Sequence, residues 1–184
     1  MESHPRPHSA AEMRNDVALL VIDVQKSLFA KSTPIYNAEG LLENVNHLID
    51  CARQANVPVV YLQHCNDSFL AEGSDGWQLH PQLHPPVNDL MIHKRHGSAF
   101  KQTPLKAQLD ARGVSSLVVT GLVTQGCVRA TCLDAKKLGY RVVLASDGHS
   151  NYHKQAAKLI QEWNQKLSEA GVELRASSEI NFHE

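Results

Sequence analysis

The sequence predicts an α/β protein, a three-layer αβα domain on a six-stranded, mainly parallel sheet. Two observations predict it. Short runs of β-branched and aliphatic residues alternate with longer stretches whose apolar residues recur at helical spacing. The connections are short, which sets consecutive strands side by side with helices on both faces. A chain of 184 residues, 42% of them hydrophobic, suffices for one buried core.

Residues 1–15 (MESHPRPHSAAEMRN) hold two prolines and little to bury. They are expected to form a flexible N-terminal arm ahead of a domain over 16–184. Residues 17–23 are apolar up to Asp23, as in a strand covered on both faces. Residues 38–56 place Leu41, Leu42, Val45, Leu48, Ile49 and Ala52 on one helical face. A second strand is expected over 57–63, with Pro58 tolerable only at its start. Residues 64–88 are rich in Gly, Pro, His, Asp and Asn, and so long an irregular stretch points to a lid or pocket wall.

The third strand is expected over 89–94, followed by a short helix over 104–112 with Pro104 in its first turn. A fourth strand over 114–120 leads to a helix over 124–138 that stops at Gly139. A fifth strand over 140–145, a long helix over 153–170 and a sixth strand over 172–176 complete the pattern. Asp147-Gly148-His149-Ser150 follows the fifth strand, and two readings stay open for it: an approach to the site or a tight turn.

Composition excludes several function classes. The formal net charge is −1, and the run His93–His96 is too short for a nucleic-acid stripe. The longest apolar run, 17–22, is far below the ~20 residues that cross a bilayer. Four cysteines without framework spacing, and no apolar stretch of a secretion signal, fit free thiols in a cytoplasmic protein. The expected partner is a small-molecule substrate, not nucleic acid or membrane.

In an open parallel sheet, ligands collect beyond the carboxyl ends of strands where strand order reverses. Three reactive side chains fall at such ends: Asp23, Lys94 and Cys127. Alone, each has an ordinary structural explanation; together on one rim they point to chemistry. The segment from Thr120 to Thr131 turns sharply from strand to helix and puts Cys127 near the helix start. Unpaired N–H groups there favour a thiolate and suit an oxyanion. Ordinary pKa values of ~8.5 for a thiol and ~3.9 for a carboxyl make proton transfer between them uphill by roughly 6 kcal/mol. Lys94 and the helix terminus are therefore expected to lower the thiol pKa.

The blocks ALLVIDVQ with Asp23, HKRHGSAFKQTPL with Lys94, and LVVTGLVTQGCVRATCLDAKKLGYRVVLASDGHS with Cys127 resemble the isochorismatase-like cysteine hydrolase superfamily over residues 16–184. The resemblance implies an Asp23/Lys94/Cys127 triad in which Asp23 moves protons, Lys94 orients and charges the site, and Cys127 attacks. It also implies a cis peptide at Leu122-Val123 and an oxyanion hole from the backbone N–H groups of Val123 and Cys127. True isochorismatases commonly lack the nucleophilic cysteine, so its presence favours hydrolysis of a small amide or related C–N bond.

The zinc motif of nicotinamidases, Asp-x-His after the second strand, is absent from Gln63-His64-Cys65-Asn66. No metal and no organic cofactor is expected. The tract 73–81 and the ending 163–182 resemble the metal-free branch with streptothricin-hydrolase-like members. Phe29, His64 and Trp77 are candidates for the pocket wall. The resemblance further implies a homo-oligomer, dimer or tetramer. Two alternatives stay open: isochorismatase-type vinyl-ether hydrolysis, and a non-catalytic small-molecule-binding or redox module.

Overall fold

Strand β1 (Val17–Ile22) lies in the middle of a sheet ordered β3-β2-β1-β4-β5-β6, with every pairing parallel. The other strands are β2 (Val59–His64), β3 (Leu90–Lys94), β4 (Ser116–Leu122), β5 (Arg141–Ser150) and β6 (Glu173–Arg175). The helices are α1 (Lys26–Phe29), α2 (Ala38–Gln54), α3 (Leu105–Asp110), α4 (Arg129–Lys137) and α5 (Ala156–Glu169). This computed structural model describes residues 16–183, so the arm expected over 1–15 lies outside the described residues.

Strand alternation explains the three layers. Leu19 and Val21 of β1 point with Val59 and Tyr61 of β2 toward α2, where Leu41, Val45, Leu48 and Ile49 close the layer. Leu20 and Ile22 point the other way with Leu62, onto Leu105 and Leu109 of α3 and Cys132 and Ala135 of α4. Each such large side chain, buried from water, contributes roughly 2 kcal/mol. A continuous apolar strand is stable here because both of its faces are covered. Gly139 ends α4 in a left-handed conformation (φ 92°), and the Tyr140 N–H reaches back to the Ala135 carbonyl at 3.0 Å.

Most element ends shift by one to three residues from the sequence expectation, and three differences are larger. A one-turn helix, α1, follows Asp23 where none is expected. The helix expected from 124 begins as a wide turn, Thr124–Val128, and α4 proper starts at Arg129. The fifth strand runs on to Ser150, because β4 pairs with it beyond a bulge: Gly121 meets His149 and Leu122 meets Ser150. The apparent turn 147–150 is thus strand. Its polar side chains are satisfied by distant segments: Asp147 accepts from Ser177 N–H and Oγ, and Ser150 donates to the Tyr36 carbonyl. The long irregular stretch after β2, expected as a lid or pocket wall, docks back on the segment that follows β1. Its Gly76, Gln78 and His80 hydrogen-bond to Ser27, Lys26 and Val24 through backbone groups.

Candidate active site

Strand order reverses between β1 and β4, and the functional side chains gather in the crevice beyond their carboxyl ends. Gly121 makes this possible. Its φ is +122°, and a Cβ there would lie 2.1 Å from the Ile22 carbonyl oxygen, so only glycine lets β4 close on β1. The next peptide, Leu122-Val123, is cis. The turn then carries Cys127, with Gly126 N–H and Val128 N–H both donating to the Val123 carbonyl at 3.0 and 3.3 Å. On the other side of the crevice Asp23 leaves β1 in a left-handed conformation (φ 53°). For a non-glycine residue that costs of order 1–3 kcal/mol, the kind of strain that clusters at functional sites.

Lys94, at the end of β3, reaches past the end of β2 into the same crevice. Its Nζ lies 3.1 Å from each of Asp23 Oδ2, Cys127 Sγ, His64 Nδ1 and the His96 carbonyl. Its side chain is fully buried and that of Asp23 is 2% exposed. Asp23 Oδ1 is buried with no hydrogen-bond partner. Because Lys94 donates to His64 Nδ1, that ring carries its proton on Nε2. Burial, and then Lys94, hold His64 below its ordinary pKa, so it stays neutral.

The thiol behaves differently from the sequence expectation. Burial, and then the Asp23 charge, push Cys127 from 9.0 up to about 12 against the pull of Lys94. Three units disfavour the resting thiolate by about 4 kcal/mol. Lys94 itself is drawn down by burial, yet its contacts with Asp23 and Cys127 outweigh that and raise it. The resting site therefore sets a neutral thiol beside a charged ammonium. Local features argue for a thiolate; desolvation by the whole fold decides against one.

A cavity of about 150 Å³ opens onto Asp23, His64 and Cys127, walled by Leu28, Phe69, Leu70 and Tyr152. That is below the ~300–1,000 Å³ of pockets for drug-sized ligands. The Lys31 ammonium stands 3.3 Å from the centroid of the Phe69 wall ring and 5.8 Å from that of Tyr152. Of the three pocket candidates, His64 lies in the wall. Phe29 packs its ring on His80 at 4.4 Å, and Trp77 donates its indole N–H to Cys65 Sγ at 3.2 Å; neither lines this cavity.

Gln25 escapes the sequence reading, and His149 lies in the segment for which an approach to the site is one of two readings. Gln25, fully buried, donates to the carbonyls of His64 and Trp77 and accepts from His64 N–H, clamping the lid to β2. His149 links β5 to the cysteine turn. Thr124 Oγ1 meets its Nδ1 at 2.9 Å, and its Nε2 meets Asn164 Oδ1 at 2.7 Å. Burial holds His149 below its ordinary pKa. The neutral ring thus donates to Asn164 and accepts from Thr124. Neither role is legible locally, since each needs partners 15 to 52 residues away.

Among the described residues, two sets of side chains have donor atoms close enough to hold a metal. Asp23, His64 and Cys127 lie within 4.8 Å of one another. The Lys94 ammonium, 3.1 Å from each, already places a positive charge in their midst. The other set, Cys65, Glu72 and His93, lies away from this cavity.

A parallel sheet with a thiol, a carboxylate and an ammonium converging at the reversal of strand order defines a class of α/β cysteine-centred proteins. The isochorismatase domain model matches residues 17–166, and the chain belongs to the isochorismatase family. It is 38% identical over 144 residues to a streptothricin hydrolase of Streptomyces noursei, covering 76% of this chain and 51% of the relative. The match thus spans about half the length of that relative. Nicotinamidase 3 of Arabidopsis thaliana is 29% identical over 154 residues, with 75% of each chain covered. A crystal structure of an isochorismatase family protein superposes with a TM-score of 0.83 at 32% identity, covering 89% of this chain and 99% of that one. Among the described residues no helix is long and apolar enough to cross a membrane.

Proposed function

We propose that this protein hydrolyses a small amide or related C–N bond through a thioester on Cys127. One observation carries the reading: Lys94 Nζ stands 3.1 Å from both the Asp23 carboxylate and the Cys127 sulfur, beside a cavity open to both. The names of the relatives, a streptothricin hydrolase and a nicotinamidase, support the same bond class.

In this reading Asp23 accepts the thiol proton as Cys127 attacks the substrate carbonyl, so a thiolate forms only with the substrate in place. The backbone N–H groups of Val123 and Cys127 hold the developing oxyanion. Lys94 holds Asp23 in place by its ion pair and offsets the charge passing to sulfur. Asp23 then gives its proton to the departing amine. Water enters, Asp23 takes one proton from it, and the hydroxide opens the thioester to release the acid and restore the thiol. The overall change is amide plus water to acid plus amine.

The small cavity limits the acyl group to a few heavy atoms with an apolar body. Lys31, against the wall residues Phe69 and Tyr152, favours a substrate carrying a carboxylate and disfavours a cationic one. A panel of small amides, neutral, anionic and cationic in matched pairs, is to be assayed for ammonia or amine release. The wild type is expected to turn over at least one, with an acyl adduct on Cys127 in mass spectra, and Cys127→Ala none. Equal turnover by both proteins refutes the thioester.

A further inference from the structure

The ends of β2 and β3 carry a second group of reactive side chains, facing away from the Cys127 cavity. The parallel register pairs His64 with Lys94, and both turn into the crevice, where their nitrogens meet at 3.1 Å. The Cys65 N–H donates to the Lys94 carbonyl at 2.7 Å, which carries the ladder one residue further. Side chains alternate along a strand, so the neighbours Cys65 and His93 turn to the opposite face. There they meet Glu72 from the lid. Cys65 Sγ, a Glu72 carboxylate oxygen and a His93 ring nitrogen all lie within 4.8 Å of one another. His93 Nδ1 and Glu72 Oε1 are 3.0 Å apart, and a cavity of about 240 Å³ opens onto all three residues.

We propose that Cys65, Glu72 and His93 form a site for a divalent transition metal of the zinc class, tying the lid to β3. Thiolate, imidazole and carboxylate are the donors zinc prefers. Metal–ligand distances of ~2.0–2.3 Å in a tetrahedron set donor atoms roughly 3.3–3.6 Å apart. The present separations close to that by rotating Glu72 and His93, whose side chains are 57% and 41% exposed, while Cys65 is buried and stays in place. A thiolate and a carboxylate balance the charge of a dication. The Trp77 indole N–H, a donor only, already points at Cys65 Sγ from 3.2 Å and suits a metal-bound sulfur. The cavity leaves the fourth position to water.

The nearby cations are otherwise engaged. Arg95 pairs with Asp67 at 3.2 Å, and the Lys94 ammonium lies on the far side against Asp23. Binding moves the Cys65 thiol proton to solvent and replaces the Glu72–His93 contact; nothing is oxidised or reduced. The residues differ from the Asp-x-His motif that this chain lacks, and the proposal does not rest on the amide chemistry of Cys127.

The experiment titrates the metal-free full chain with Co²⁺ in wild type and in the Cys127→Ala, Cys65→Ser, Glu72→Gln and His93→Gln variants, followed by Zn²⁺ competition. Wild type and Cys127→Ala are expected to bind one Co²⁺ per chain with a thiolate-to-cobalt charge-transfer absorption, which Zn²⁺ abolishes. Cys65→Ser is expected to lose the absorption, and Glu72→Gln and His93→Gln to bind at least tenfold more weakly. An absorption that survives Cys65→Ser and vanishes in Cys127→Ala puts the metal on the other thiol and overturns the proposal, as does no absorption in wild type. If Cys65→Ser does not fold, the two variants at exposed side chains decide, and unchanged affinity in both overturns it.

Discussion

Asp23→Asn removes a carboxylate that lies no more than 4.8 Å from Cys127 Sγ. At that separation and an effective dielectric of about 20, a carboxylate and a thiolate repel by roughly 3.5 kcal/mol. At 1.36 kcal/mol per unit this is about 2.5 pKa units, so the Cys127 thiol is expected to fall well below its present value of about 12. The thiolate fraction at neutral pH then rises roughly 300-fold by the same conversion. A less basic thiolate is a weaker nucleophile, with a Brønsted slope of ~0.4–0.5, which trims the gain to roughly 25-fold. Iodoacetamide labelling of Cys127, followed by peptide mass spectrometry at pH 7, measures that rate directly. The same variant is expected to lose amide hydrolysis by about 10²–10⁴-fold, because the proton carrier is gone. A more reactive cysteine in a less active enzyme is the signature. Labelling at or below the wild-type rate, in a variant with a normal melting curve, refutes the electrostatic reasoning; hydrolysis within threefold of wild type refutes the role of Asp23.

Lys94→Met leaves Asp23 as an uncompensated buried charge, a loss of about 3–5 kcal/mol, and calorimetry is expected to show melting about 10 °C lower; an unchanged melting temperature refutes the pairing. Gly121→Ala forces a methyl to within 2.1 Å of the Ile22 carbonyl, and soluble yield and melting temperature are expected to collapse together. His149 is held neutral by burial below its usual 6.5. The unfolded chain gains a proton below about pH 6.5 that the folded chain refuses, so this stabilisation is full above that pH and is lost as pH falls. His149→Asn is therefore expected to flatten the drop in melting temperature between pH 7 and 5, and parallel curves argue against it. Lys31→Glu is expected to reverse the ratio of kcat/KM between anionic and cationic members of a matched amide pair; an unchanged ratio removes Lys31 from substrate selection.

The elements legible in the sequence are those whose signal is local. β1 announces itself as an unbroken apolar run, and β2 and β4 as largely apolar ones, because helices cover both of their faces. Asp23 and Lys94 stand out as charges ending such runs, and Cys127 as a thiol at a glycine-rich strand-to-helix turn. The second half of the ten-residue strand β5 does not stand out. Asp147, His149 and Ser150 are polar, and polar residues after an apolar run mark a turn unless partners are supplied from elsewhere. Ser177, Thr124, Asn164 and Tyr36 supply them, and none is near in sequence. Gln25 escaped for the same reason, since its value lies in clamping a lid that only the fold brings to it.

Periodicity and residue type determined by themselves that the chain makes a parallel α/β sheet and which three reactive groups reach its carboxyl edge. Alternation and strand ends are properties of a few adjacent residues. Only the tertiary structure decided that Lys94 meets both Asp23 and Cys127, that the thiol rests protonated, and that Cys65, Glu72 and His93 gather on the reverse face. Desolvation and convergence depend on what the whole fold excludes and what it brings together from far along the chain, and no local spacing carries that.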